Sequence, residues 1–178
     1  MANKAVFLDR DGVINDHVRY VNTPDDLILF PGVGKAIKRL NDAGYKVFVV
    51  TNQGGVGLGF MQEEHLHAVH DKLERELKRD GAILDEIAYC PHKPKAGCAC
   101  RKPEAKMILD LASNHQVDLA QSYMVGDRET DVLAGQKAGV TTIYIGPPGT
   151  KDDAVVKADH RAPTLVDAVE LILAQEER

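Results

Sequence analysis

The sequence predicts an α/β fold in which a mainly parallel sheet carries helices on both faces. Three observations lead to it. Short apolar or β-branched runs alternate with amphipathic helical patterns along the chain. Those runs lack polar alternation, as strands covered on both faces should. The residues able to do chemistry cluster where the runs end, which is where ligands bind in such sheets. This order also implies right-handed crossovers.

Residues 5–8 (AVFL) read as the first strand. Residues 31–44 follow as a helix, with Pro31 near its start and Gly44 as its stop. Residues 46–50 (KVFVV) form a second strand. The longest helical pattern spans 62–80, with Leu66, Val69, Leu73 and Leu77 at spacings of three and four and Gly81 as its stop. A strand at 86–90, a helix at 104–113, a strand at 122–125, a helix at 129–138 and a fifth strand at 141–145 come next. Residues 164–176 close the chain as a helix. The widest stretches without periodicity, 12–30 and 146–162, are candidate flaps.

A length of 178 residues predicts a single domain, 1–178, with a core that needs no disulfides. Basic and acidic counts of 22 and 27 give a net charge of −5, which argues against a general nucleic-acid coat. The apolar runs are far shorter than the ~20 residues of a membrane span, and Lys4 and Asp9 interrupt any signal-peptide core. A cytoplasmic monomer with no membrane or nucleic-acid partner is the expectation. All three cysteines, Cys90, Cys98 and Cys100, fall in one short window, which suits a metal site better than a disulfide framework.

The first strand runs into Asp9-Arg10-Asp11-Gly12. Two carboxylates two residues apart project to one side of an extended chain and repel, so a cation or a raised pKa is expected. Such a pair suits a Mg²⁺ site in which one Asp is the nucleophile and the other moves protons; a plain Asp-Gly turn is the competing reading. The second strand ends in Thr51-Asn52-Gln53-Gly54-Gly55, a set of uncharged donors for phosphate or carboxylate oxygens or else simply a polar loop. Neither the dinucleotide nor the Walker glycine spacing occurs, so nucleotide cofactors are not supported.

The third strand runs into Cys90-x-His92-x₅-Cys98-x-Cys100. Three thiolates and an imidazole complete a tetrahedral Zn²⁺ site with no open position, so the zinc is structural. Arg101 and Lys102 follow, two cations that the zinc loop (90–102) would hold near the sheet edge to clamp an anion. After the fourth strand, Asp127 completes an oxygen-rich Mg²⁺ site with Asp9, or caps a helix. Asp131, one turn on, supports Asp127 or orients Lys102. His65, His67 and His70 on the long helix read as solvated, whereas His17 follows Asp11 with Arg19 and Tyr20 beside it.

Taken in order, DRDG (9–12), TNQ (51–53), RKP (101–103) and GDRETD (126–131) resemble the haloacid dehalogenase-like phosphatases. With the C-x-H…C-x-C insertion, the chain looks like the small, capless branch that acts on heptose bisphosphates and histidinol phosphate, nearer the heptose side. The resemblance implies a Rossmann-like sheet, an inserted zinc loop, and a phosphorylated sugar as substrate. It implies Asp9 as nucleophile, Asp11 as general acid and base, and Mg²⁺ on Asp9, the Asp11 backbone carbonyl and Asp127. Thr51 and Lys102 would bind the transferring group. Arg101 and the 17–20 segment (His17, Arg19, Tyr20) would contact the sugar or its second phosphate, with Asn52, Gln53 and Gly54 lining the pocket.

One departure bears on substrate preference: Leu58 stands where the heptose enzymes carry a basic residue in the glycine-rich loop. A signalling receiver domain also uses clustered Asp, Thr and Lys around Mg²⁺, but its phosphorylated Asp follows the third strand, where this chain has Cys90-Pro91-His92. A zinc-organised phosphate-binding module would not need Asp9, Asp11, Thr51, Lys102 and Asp127 together.

Overall fold

The computed structural model describes residues 1–147 and 157–178. Its elements are β1 (Lys4–Leu8), α1 (Val33–Asp42), β2 (Tyr45–Asn52), α2 (Glu63–Arg79), β3 (Glu86–Cys90), α3 (Lys106–Asn114), β4 (Tyr123–Gly126), α4 (Glu129–Ala138), β5 (Thr141–Ile145), β6 (His160–Ala162) and α5 (Leu165–Glu176). The strands form one sheet in the order β3-β2-β1-β4-β5-β6, with every pairing parallel. This is the predicted Rossmann-like α/β architecture.

The two faces of the sheet explain why the strands read as continuous apolar runs. On one face, Val6, Leu8, Val47 and Val49 pack beneath α1, α2 and α5. On the other, Ala5, Phe7, Phe48 and Val50 pack beneath α3 and α4. Successive side chains alternate between faces, so a strand buried on both sides can be apolar throughout. The Phe7 and Phe48 rings stack at 5.4 Å on the second face.

Strand order reverses between β1 and β4, whose register sets Leu8 against Val125. Beyond that pair the crossovers diverge and leave a crevice at the carboxyl ends. Asp9 and Asp127 both enter it, one residue past their strands.

Three local readings need correction. A sixth strand, β6, lies in a stretch read as aperiodic; three residues at a sheet edge are too few to display a period. Residues 148–156 of that same candidate flap lie outside the described residues. The first helix begins at Val33, after Gly32 at φ 78°, and α3 begins at Lys106 rather than 104. The 12–30 segment is tied down: Val13, Ile14, Val21 and Leu27 enter the core, and Lys72 Nζ donates to the Pro24 carbonyl at 2.8 Å. Among the described residues, no helix is long and apolar enough to cross a membrane.

Candidate active site

Lys102 is the centre of the crevice. Its side chain is 3 % exposed, and its ammonium donates to Asp9 Oδ1 at 2.9 Å, Asp131 Oδ1 at 2.6 Å and the Val50 carbonyl at 2.8 Å. Three protons thus meet three acceptors. Burial disfavours the charge, but Asp131 and Asp9 outweigh it and hold the ammonium above its ordinary pKa. Asp131 uses its other oxygen to accept from the backbone N–H of Asp127 and of Arg128, both at 3.1 Å, and so closes the start of α4.

Two glycines permit this approach. A Cβ on Gly126 would stand 2.1 Å from Asp131 Cβ. Gly12 turns the chain at φ 83°, and a Cβ there would stand 2.0 Å from Asp127 Oδ2. The glycines after the first Asp pair and before Asp127 therefore make room for carboxylates.

Oxygen ligands from Asp9, Asp127 and Asp131 all lie within 4.8 Å of one another. Two of the three, Asp9 and Asp131, share the Lys102 ammonium. Burial, reinforced by Asp9 and Asp131, pushes Asp127 up to about 8; burial and Asp9, against Lys102, push Asp131 up to about 6. Asp127 Oδ1 is buried and has no hydrogen-bond partner. An orphaned carboxylate oxygen in an all-oxygen, electron-rich cluster fits a hard divalent cation such as Mg²⁺.

Asp11 sits beside this cluster. Its Oδ1 accepts from Arg10 Nε at 2.9 Å and Asn15 Nδ2 at 3.0 Å; its Oδ2 lies 3.3 Å from Gln53 Nε2 and 3.8 Å from His17 Nδ1. Burial works against its ionisation, but Arg10, Asn15 and His17 together hold its carboxyl below the usual value. Thr51 is buried, and its hydroxyl accepts from Gln53 Nε2 at 2.8 Å.

A cavity of about 1010 Å³ opens over these groups. Asp9, Asp11, Lys102, Asp127 and Asp131 reach it, as do His17, Tyr20, Asn52, Gln53, Gly54 and Arg101. Thr51 and Arg19 do not. Gln53 stands on the wall beside the Thr51 hydroxyl, and Arg19 is exposed outside. Asn52 is engaged structurally: it donates to the Lys102 carbonyl and accepts from the Lys102 N–H, at 3.1 and 2.9 Å. Leu58 and Phe60 give one rim an exposed apolar character.

Two residues escaped sequence reasoning. Arg10 is completely buried, and His70, read as solvated, is only 6 % exposed. His70 belongs to the apolar stripe of α2, four residues after Leu66 and three before Leu73. That spacing was the available signal. His65 and His67 are exposed, as read.

Cys90, His92, Cys98 and Cys100 converge at the end of β3, with all four ligand atoms within 4.8 Å. Cys90 Sγ lies 2.8 Å from Cys100 Sγ and 3.3 Å from His92 Nδ1, and all three cysteines are free. Burial pushes the Cys90 thiol up to about 12. Backbone N–H groups of Arg101 and Cys100, with the neighbouring thiols, outweigh burial at Cys98 and bring it down to about 7. A three-sulfur, one-nitrogen set drawn this close fits tetrahedral Zn²⁺.

A family model described as HAD-hydrolase-like matches residues 99–171. The chain is 42% identical, over 95% of its own length and 98% of the relative's, to the D-glycero-beta-D-manno-heptose-1,7-bisphosphate 7-phosphatase of Haemophilus ducreyi. It is 33% identical to the alpha-heptose counterpart from Photorhabdus laumondii, over 82% of this chain and 84% of that one. Among solved structures, the D,D-heptose 1,7-bisphosphate phosphatase from B. bronchiseptica, complexed with magnesium and phosphate, superposes with a TM-score of 0.89. That match has 36% identity and covers 97% of this chain and 99% of the other.

Proposed function

Because the chain belongs to the heptose-1,7-bisphosphate 7-phosphatase family of haloacid dehalogenase-like phosphoric monoester hydrolases, we propose that it removes the 7-phosphate from D-glycero-D-manno-heptose 1,7-bisphosphate. The observation that carries this reading is the convergence of Asp9, Asp11, Lys102 and Asp127 on one cavity at the switch point of the sheet.

Asp9 attacks phosphorus. Its carboxylate forms a new P–O bond as the bond to the sugar oxygen breaks, giving an aspartyl-phosphate. Asp11 delivers a proton to the departing sugar oxygen, then takes one from the water that releases inorganic phosphate and restores Asp9. Lys102 holds Asp9 Oδ1, which orients the nucleophile and places a cation beside the transferring group. Thr51 donates its hydroxyl proton to a phosphate oxygen once Gln53 yields. Asp9, the Asp11 backbone carbonyl and Asp127 would hold Mg²⁺, which when bound offsets the charge between nucleophile and phosphate. Arg101, His17 and Tyr20 face the rest of the sugar, and the Zn²⁺ set would anchor Arg101 and Lys102.

The test is phosphate release with Mg²⁺ from both heptose 1,7-bisphosphate anomers, histidinol phosphate and simple sugar phosphates. Asp9→Asn is the blank and is expected to be folded and inactive. Preference for one bisphosphate anomer with loss of the 7-phosphate alone supports the heptose reading. A preference for histidinol phosphate transfers the enzyme to the neighbouring specificity, and wild-type-like activity in Asp9→Asn removes Asp9 as nucleophile.

A further inference from the structure

Arg10 lines the crevice as a fully buried cation to which the proposed chemistry assigns no task. A buried guanidinium requires acceptors for its N–H groups, because each one left unpaired in the interior is costly. Its Nε and Nη2 both reach Asp11 Oδ1, at 2.9 and 2.8 Å. Nη2 also lies 3.3 Å from Gln53 Oε1, and Nη1 lies 3.0 Å from His70 Nε2.

The chemistry of this last contact is unambiguous. Arginine has no acceptor, so His70 Nε2 must accept, and the ring proton resides on Nδ1. The imidazole is therefore neutral. Burial, with Arg10 next to it, lowers its pKa to about 3, which agrees. The position itself calls for an apolar residue: it lies in a stripe otherwise made of Leu66, Val69, Leu73 and Leu77. Arg10 supplies the reason for an imidazole there.

We propose that His70 is a positioning residue that acts through Arg10 on Asp11, so that Asp11 Oδ1 is locked and Oδ2 is the oxygen that passes the proton. Oδ1 takes the two Arg10 contacts and Asn15 Nδ2, whereas Oδ2 meets only Gln53 at 3.3 Å and His17 at 3.8 Å. His70 touches neither substrate nor metal ligand. It fixes the far edge of the guanidinium, and the near edge then fixes the carboxylate. This inference rests on the phosphatase reading and adds to it the choice of proton-transfer oxygen and the device that enforces it.

Leaving-group dependence tests it. The value of kcat/KM reports steps up to release of the first alcohol. A sugar alkoxide needs its proton at that point, whereas p-nitrophenolate departs without one. His70→Leu fills the site but removes the acceptor; His70→Gln returns an acceptor oxygen near the position of Nε2. Turnover of heptose 1,7-bisphosphate and of p-nitrophenyl phosphate is compared for wild type and both variants. For His70→Leu, kcat/KM on the sugar substrate is expected to fall about 10–100-fold, with p-nitrophenyl phosphate within about threefold of wild type. His70→Gln is expected to recover most of the loss. Equal losses on both substrates, no loss on either, or a Gln variant no better than Leu would overturn the proposal. If His70→Leu does not fold, His70→Asn replaces it, because the shorter amide falls short of Nη1; the same comparison against His70→Gln then decides. A wild-type protein inactive on every phosphate ester would instead defeat the phosphatase reading itself.

Discussion

Replacing Lys102 by Met keeps most of the side-chain volume and deletes the ammonium on which Asp9 and Asp131 converge. The two carboxylates have side chains 8% and 1% exposed, so neither can turn to water for compensation. Removing one partner from a buried charge pair costs about 3–5 kcal/mol. Part of that is relieved by proton uptake. Asp131, already raised to about 6 with Lys102 beside it, rises further without it and takes a proton near neutrality. The expected loss is thus about 3 kcal/mol, near the lower end of that range. For a chain of this size it corresponds to a fall in Tm of about 6–12 °C.

The pH dependence has a definite sign. A carboxyl whose folded pKa is raised loses stability as pH rises through that pKa, and the variant raises it further than wild type does. Lys102→Met should therefore be penalised more at pH 8 than at pH 5. Urea unfolding at both values, without added Mg²⁺, measures this. A loss below about 1 kcal/mol at pH 8, or an equal loss at both pH values, would refute the argument that Lys102 neutralises a buried acidic pair. Turnover is expected to fall about 10²–10³-fold, as for removal of one charge-stabilising donor.

Gly126→Ala should destabilise by about 3 kcal/mol or more, because backbone and Asp131 must part. Gly139→Ala, at φ 84° with open space around it, should cost only about 1 kcal/mol, and equal costs would remove the steric account. Zinc removal, or Cys98→Ser, should expose 90–102 to protease and weaken inhibition by inorganic phosphate, since Asn52 ties Lys102 to β2 from a loop that the thiolates anchor. Unchanged proteolysis and inhibition would show that the loop holds without metal. Mg²⁺ affinity should rise about tenfold per pH unit towards about 8, because below that value the ion must displace the proton that Asp127 retains. Affinity that is flat between pH 6 and 8 would argue that the carboxylates are already ionised.

Much of the molecule was legible from the chain alone, for reasons that are local. A strand buried on both faces must be apolar throughout, so 5–8, 46–50 and 141–145 announce themselves. Closely spaced thiols around a histidine point to a ligand cluster before any fold is known, and the four side chains do converge. The three-residue β6 was illegible because its identity comes from pairing with β5, not from its own pattern. His70 was misread because its isolated type suggests solvent, whereas its burial follows from the face of α2 it occupies.

By itself the sequence determined the alternation that builds the parallel sheet, the sites at strand ends, and the cluster of three cysteines and a histidine. Those features depend on residue type and short spacing. The tertiary structure alone decided that Lys102 meets Asp9 and Asp131, 93 and 29 residues away in the chain. It also decided that Arg10 turns inward to His70 across 60 residues. Such contacts follow from strand order and helix face, and a linear chain carries neither until the sheet has closed around them.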